Sequence, residues 1–250
     1  PSSEMAASRS PFSFPDAEPV ELVDAYVFEG KKRSSEEFLK ETDTSALLVL
    51  KDGSVCYERY LLTGGRDVHW MSFSVAKSFL SALIGIAIEE SLISSIEDSI
   101  SQYAPKLTGS AYDGVRIKDV LQMSSGARWN EDYSDPDADI HGYSAVMSGE
   151  GSFDEFVSGM KPERDPGTLC QYNSGDTQAL GMLLVGATHQ SISDYMQEKL
   201  CEPLGMESPG YWLLDCEGME LAAGGVNLIA RDFAKLGELY RNNGVWNGEQ

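Results

Sequence analysis

Residues 74–90 read SVAKSFLSALIGIAIEE, and the fold turns on how this stretch is understood. Apolar residues at 75, 79, 80, 83, 84, 86, 87 and 88 recur with a helical period and cover more than one face. The spacing predicts a helix sunk in a core, interrupted by Ser81 and Gly85. At its start Ser74 and Lys77 stand three residues apart, on one face and within reach of each other. A serine in the first turn sits where the helix N-terminus favours negative charge on its oxygen. The lysine adds to that field as an ammonium, or accepts a proton when desolvated and neutral. Ser-x-x-Lys at the head of a buried helix is therefore a workable activated nucleophile.

Spacing alone is weak evidence in a serine-rich chain, and the pattern occurs again at Ser158 and Lys161. Context separates the two. The second pair encloses Gly159 and runs into Pro162, a helix end where both side chains can face water. The first opens a long apolar helix, and a lysine held against a core without a carboxylate beside it in sequence needs a reason.

Outward from this helix, Ser45–Tyr60 reads as a hairpin: an apolar run, a turn at Asp52-Gly53, then the alternating VCYERY. Downstream, a short helix is expected near Ile117–Met123, a long acidic and aromatic loop over 128–152, and a short helix over Phe153–Gly159. Ser174 is placed to cap a further helix carrying Leu180 and Met182 to Val185. A last helix over Asp232–Asn242 follows Gly224-Gly225. Strands first and helices after give an α+β fold, an antiparallel sheet flanked by helices with a helical lobe. Residues 1–20, rich in Ser, Pro and Ala, read as an N-terminal arm, and 21–250 as one domain.

A third chemical candidate is Tyr172, in CQYNSGD (170–176). At a loop-to-helix junction a tyrosine is either a core-edge ring with a bonded hydroxyl or, where a lysine cation favours its phenolate, a general base. Both readings stand on the residues alone. The three histidines, His69, His141 and His189, accompany no G-x-S-x-G elbow, so a Ser-His-Asp arrangement ranks lower. No zincin, Walker or dinucleotide pattern appears, and neither metal nor cofactor is expected. Forty acidic residues against nineteen basic ones, net −21, repel phosphate backbones and argue against nucleic acid as a partner. No apolar run reaches membrane-spanning length. Cys56, Cys170, Cys201 and Cys216 lack a C-x-x-C spacing and read as separate thiols. Oligomeric state is open, and so is the compartment, cytoplasm or periplasm.

MSFSVAKSFLSALIGIAIEE (71–90), VLQMSSGARW (120–129), CQYNSGDTQALGMLL (170–184), EPLGM (202–206) and AAGGVNLIARDFAKLGELYRNNG (222–244) form an ordered set. In order and spacing it resembles the class C β-lactamase-like family of penicillin-binding carboxypeptidases, β-lactamases, esterases and nylon-oligomer hydrolases. The esterase and nylon-oligomer branch is the most similar, and the resemblance spans about residues 45–250. It implies that Ser74 is the acylated nucleophile, Lys77 its proton partner and Tyr172 the tyrosine of the second motif. The third residue of that motif, Asn in most β-lactamases of this class, is Ser174 here, which points from β-lactams to esters or small amides. Tyr133, in WNEDYSDPDADI (129–140), falls where related hydrolases place a tyrosine that closes over substrate. Asn227, after the paired glycines, is a further substrate-binding candidate.

The function implied is a serine hydrolase working through an acyl-enzyme on an ester or small amide, with β-lactams and D-amino-acid peptides within the family's range. The alternatives are a non-catalytic binding or assembly scaffold, or an inactive fragment of such an enzyme. The family's third motif, Lys-Thr-Gly or His-x-Gly, has no counterpart. His141-Gly142 and Lys106-Leu107-Thr108-Gly109 come too early. The expectation is that the sequence stops before it, and that a C-terminal segment of the same protein is the partner supplying the remaining strands and one oxyanion-hole N–H.

Overall fold

The computed structural model describes all 250 residues. The chain opens with β1 (Ser2–Met5), the hairpin β2 (Ala25–Phe28) and β3 (Lys31–Ser34), and helix α1 (Ser35–Glu41). The hairpin β4 (Ala46–Lys51) and β5 (Ser54–Tyr60) follows, then β6 (Trp70–Met71), α2 (Ala76–Glu89), α3 (Ile100–Tyr103) and α4 (Ile117–Leu121). Next come α5 (Asp139–Val146), α6 (Phe153–Ser158), α7 (Ser174–Thr188), α8 (Ile192–Met196), β7 (Gly210–Leu213), β8 (Val226–Leu228) and α9 (Ala230–Arg241). This is the mixed helix-and-sheet architecture expected from the sequence, and its sheets are antiparallel where register is defined. No helix is long and apolar enough to cross a membrane.

Two compact units make up the chain. The first comprises residues 1–6, 71–203 and 209–227. It holds most of the four-stranded sheet, ordered β1-β7-β8-β6, and the helices around α7. Within the stretch that reads as an arm, Ser2–Met5 pair with β7, Ser2 opposite Leu213 and Met5 opposite Gly210. Helix α7 is buried from Ser174 through Leu184, apolar on nearly every face as a central helix must be. α2, α3, α4 and α6 all pack on it. Gly186 allows the closest approach: a Cβ there would stand 1.9 Å from the Tyr103 carbonyl oxygen.

The second unit comprises residues 7–70, 204–208 and 228–250. Its β4–β5 hairpin is the one expected over Ser45–Tyr60, paired from Ala46↔Tyr60 to Lys51↔Ser54. Asp52 (φ 51°) and Gly53 (φ 77°) both take the left-handed conformation that a tight two-residue hairpin turn requires. A bidentate contact from the buried Arg231 to Glu58, 3.0 Å from Nε and 2.5 Å from Nη2, holds that carboxyl below its usual range. Lys235, wholly buried, donates to Asp232 at 2.8 Å.

Two expectations are corrected. The stretch 128–152 is not loop throughout: α5 occupies Asp139–Val146 and buries Ile140, Tyr143 and Val146. Its one-sided spacing is short and flanked by acids, but Tyr143 stacks against Trp129, Phe153 and Phe156, and that burial stabilises it. Ser174 does not cap α7. Asn173, in extended conformation, is the cap and its side chain accepts the Asp176 N–H, while the Ser174 hydroxyl is turned to another partner.

Candidate active site

Three of the residues singled out in the sequence meet in the first unit. Ser74 lies in a 3-10 turn, Phe73–Val75, that leads into α2, and Lys77 follows in the first turn of the helix. Tyr172 comes from the extended segment just before α7. Its hydroxyl donates to Ser74 Oγ at 2.7 Å, and Lys77 Nζ donates to the same oxygen at 3.2 Å. The ammonium also donates to the Ala223 carbonyl at 2.9 Å and lies 5.1 Å from the centre of the Tyr172 ring. Ser74 and Tyr172 are exposed and Lys77 is half-buried, so the serine hydroxyl faces solvent while the lysine is held by the Ala223 carbonyl.

Ser72 fixes the approach to this turn. Its N–H donates to the Val226 carbonyl at 2.8 Å, and its buried hydroxyl is shared between the carbonyls of Gly224 (3.1 Å) and Phe73 (3.0 Å). The segment Ala223–Val226 thus anchors both the turn before Ser74 and the lysine after it. Chemically, a serine hydroxyl in contact with a phenol and an ammonium has a route for its proton and a neighbouring positive charge.

The other candidates are differently placed. Ser174 is buried in the first turn of α7, and its hydroxyl and N–H both donate to Glu131, at 2.9 and 3.0 Å. Tyr133 is 69% exposed, with its hydroxyl 3.5 Å from Glu131. Burial, then the Glu131 charge and the nearby Tyr172, push the Tyr133 phenol up, so it stays a neutral donor. Asn227 is buried on β8 and donates its amide to the Gly225 carbonyl at 2.9 Å. The second Ser-x-x-Lys makes no pair: the Ser158 hydroxyl is buried without a partner and Lys161 is exposed.

Sequence reasoning passed over Glu131, Ser72 and Asp176. Asp176 is fully buried in the first turn of α7, where its Oδ1 accepts from Tyr112 (2.9 Å) and Ser125 (2.6 Å). Its Oδ2 has no partner, and burial raises its pKa to about 7. The one signal for it in the sequence was an acid near the start of a largely apolar helix.

Comparison with known proteins adds to this geometry. The family profile described as Beta-lactamase matches residues 36–247. A 6-aminohexanoate-dimer hydrolase of Paenarthrobacter ureafaciens is 31% identical over 236 residues, covering 92% of this chain and 59% of that protein. Among solved structures, a proposed 6-aminohexanoate-dimer hydrolase from Bacillus anthracis superposes with a TM-score of 0.89 at 24% identity, over 100% of this chain and 68% of the other. EstCE1, a hydrolase with promiscuous acyltransferase activity, does so with a TM-score of 0.68 at 15% identity, over 86% and 72%. The last two likenesses concern the fold. The chain spans about three fifths of the length of the Paenarthrobacter protein, at 59%.

Proposed function

The chain belongs to the beta-lactamase family, and from that premise we propose that it is a serine hydrolase acting through an acyl-enzyme on an ester or small amide. The observation that carries this reading is the double contact at Ser74 Oγ, from Tyr172 at 2.7 Å and Lys77 at 3.2 Å. To act as base, Tyr172 first gives up to solvent the proton that it shares with Ser74 in this structure; Ser74 then attacks the substrate carbonyl as its own proton passes to the Tyr172 oxygen, beside the Lys77 ammonium. The proton then passes to the leaving alcohol or amine, and the carbonyl carbon remains bonded to Ser74 Oγ. Water, deprotonated by the same phenolate, attacks the acyl group and releases the acid. Placement of Ser74 at the head of α2 lets the helix N-terminus offset charge developing in each transition state. A small ester or amide fits better than a β-lactam because Ser174 stands where most class C β-lactamases carry asparagine, and because the relative named for 6-aminohexanoate dimers shares 31% of its residues.

Intact mass before and after treatment with a fluorophosphonate tests the proposal. One adduct is expected, absent in Ser74→Ala. Tyr172→Phe should lower kcat/KM for an activated ester by about 10²–10⁴-fold, the usual weight of a general base. An adduct that persists in Ser74→Ala, or a Tyr172→Phe enzyme of undiminished rate, would overturn the assignment.

A further inference from the structure

We infer that Glu131 is a positioning residue for this site: its carboxylate fastens the loop that carries Tyr133 to the first turn of α7, and so limits the acyl group that Ser74 can accept. The inference rests on the hydrolase reading above.

Four donors converge on Glu131. Oε2 accepts from the Trp129 indole at 2.7 Å and the Ser174 N–H at 3.0 Å. Oε1 accepts from the Ser174 hydroxyl at 2.9 Å and, more weakly, from Tyr133 at 3.5 Å. Each oxygen accepts about two hydrogen bonds, so the carboxylate is saturated and is not available as a base. What it does is join two pieces of chain: Ser174 lies two residues past Tyr172, and Tyr133 lies two residues past Glu131.

The loop is stiff in itself, so fastening it at one point fixes its whole course. The Asp132 N–H donates to Asn130 Oδ1 at 2.9 Å, and the Ser134 N–H and hydroxyl to Asp132 Oδ1 at 2.9 and 2.7 Å. Asn130 closes the turn, its N–H donating to Asp139 at 2.8 Å and its amide to Asp135 at 2.7 Å. The other tie toward Tyr172 is the Gln171 amide, which donates to the Trp129 carbonyl at 2.7 Å. Tyr133 itself is mostly in water and makes no strong contact of its own. What fixes its stretch of chain relative to Tyr172 is the tie from Glu131 to Ser174, two residues past that tyrosine. On this inference, a loop fastened there narrows the choice of poses open to a long acyl chain at Ser74.

Glu131→Gln is the discriminating variant, because an amide NH₂ must then face a donor. Against p-nitrophenyl hexanoate its KM should rise about tenfold with kcat within about threefold, the signature of lost substrate binding. Against p-nitrophenyl acetate, whose acyl group is far shorter, both constants should change less than about threefold. Hydrogen exchange in residues 129–139 should quicken while α2 stays protected. Ser174→Ala, which deletes one of the four bonds, should show the same preference in smaller measure and serves if Glu131→Gln folds poorly. Equal losses on both esters, or unchanged exchange in 129–139, would overturn the inference alone. A wild-type protein that takes no fluorophosphonate and cleaves neither ester would overturn the hydrolase reading together with it.

Discussion

Phe73 stands at φ 43° one residue before Ser74, a left-handed conformation costing an aromatic residue about 1–2 kcal/mol. Ser72, pinned to Gly224 and Val226, over-determines the turn, and such strain concentrates where a side chain must be aimed. Asp176 is a second costly residue nearby, and its cost depends on pH. The folded carboxyl keeps its proton up to about pH 7, whereas the unfolded chain releases it near 3.8. Between those values the folded state binds the extra proton, so raising the pH weakens it, and the loss is complete above the folded value. Asp176→Asn keeps an acceptor for Tyr112 and Ser125 and has no proton to lose. Thermal melts should find the two proteins similar near pH 4.5 and the variant more stable above pH 7. A stability difference that does not vary with pH would contradict this account. Ser74 and Lys77 were legible because a polar pair at the head of an apolar helix stands out. Tyr172 was half legible, since a residue 98 positions away meets Ser74 only through the fold. Glu131 gave no signal of its own and Asp176 only that of an acid near the start of a largely apolar helix, because their roles are defined by donors spread over the chain.

Among the elements, Gly85 in α2 and Gly186 in α7 should respond oppositely to the same change. Gly85 is exposed and a Cβ there meets nothing within 4 Å, so Gly85→Ala should stabilise by about 0.5–1 kcal/mol through helix propensity alone. Gly186→Ala drives a methyl into the Tyr103 backbone, and overpacking of this kind costs about 1–3 kcal/mol. Urea unfolding of both variants checks the pair, and a destabilised Gly85→Ala would mean that α2 is not free on that face. Helix α2 and the β4–β5 hairpin could be read because period and turn chemistry agreed. Helix α5 escaped because its three core residues lie in a short stretch flanked by acids and its stability comes from Trp129, Phe153 and Phe156. Strands β7 and β8, four and three residues long, are too short for alternation to show.

For the whole molecule, nineteen cations cannot neutralise forty acids, and most ion pairs present are partly exposed. Screening should remove more repulsion than attraction. The melting temperature is expected to rise by about 3 °C or more between about 20 mM and 300 mM NaCl; a fall would mean that the few close pairs outweigh the net charge. The division into units has a different consequence. The chain passes from one to the other after residues 6, 70, 203, 208 and 227, so neither can be cut out as one continuous piece. During synthesis β1 leaves the ribosome about 200 residues ahead of β7, a delay of roughly 10–40 s at ordinary elongation rates. An unpaired strand edge is open to wrong partners for that time. Its sequence, Ser-Ser-Glu-Met with only Met5 buried, is polar enough to wait in water until its partner is made.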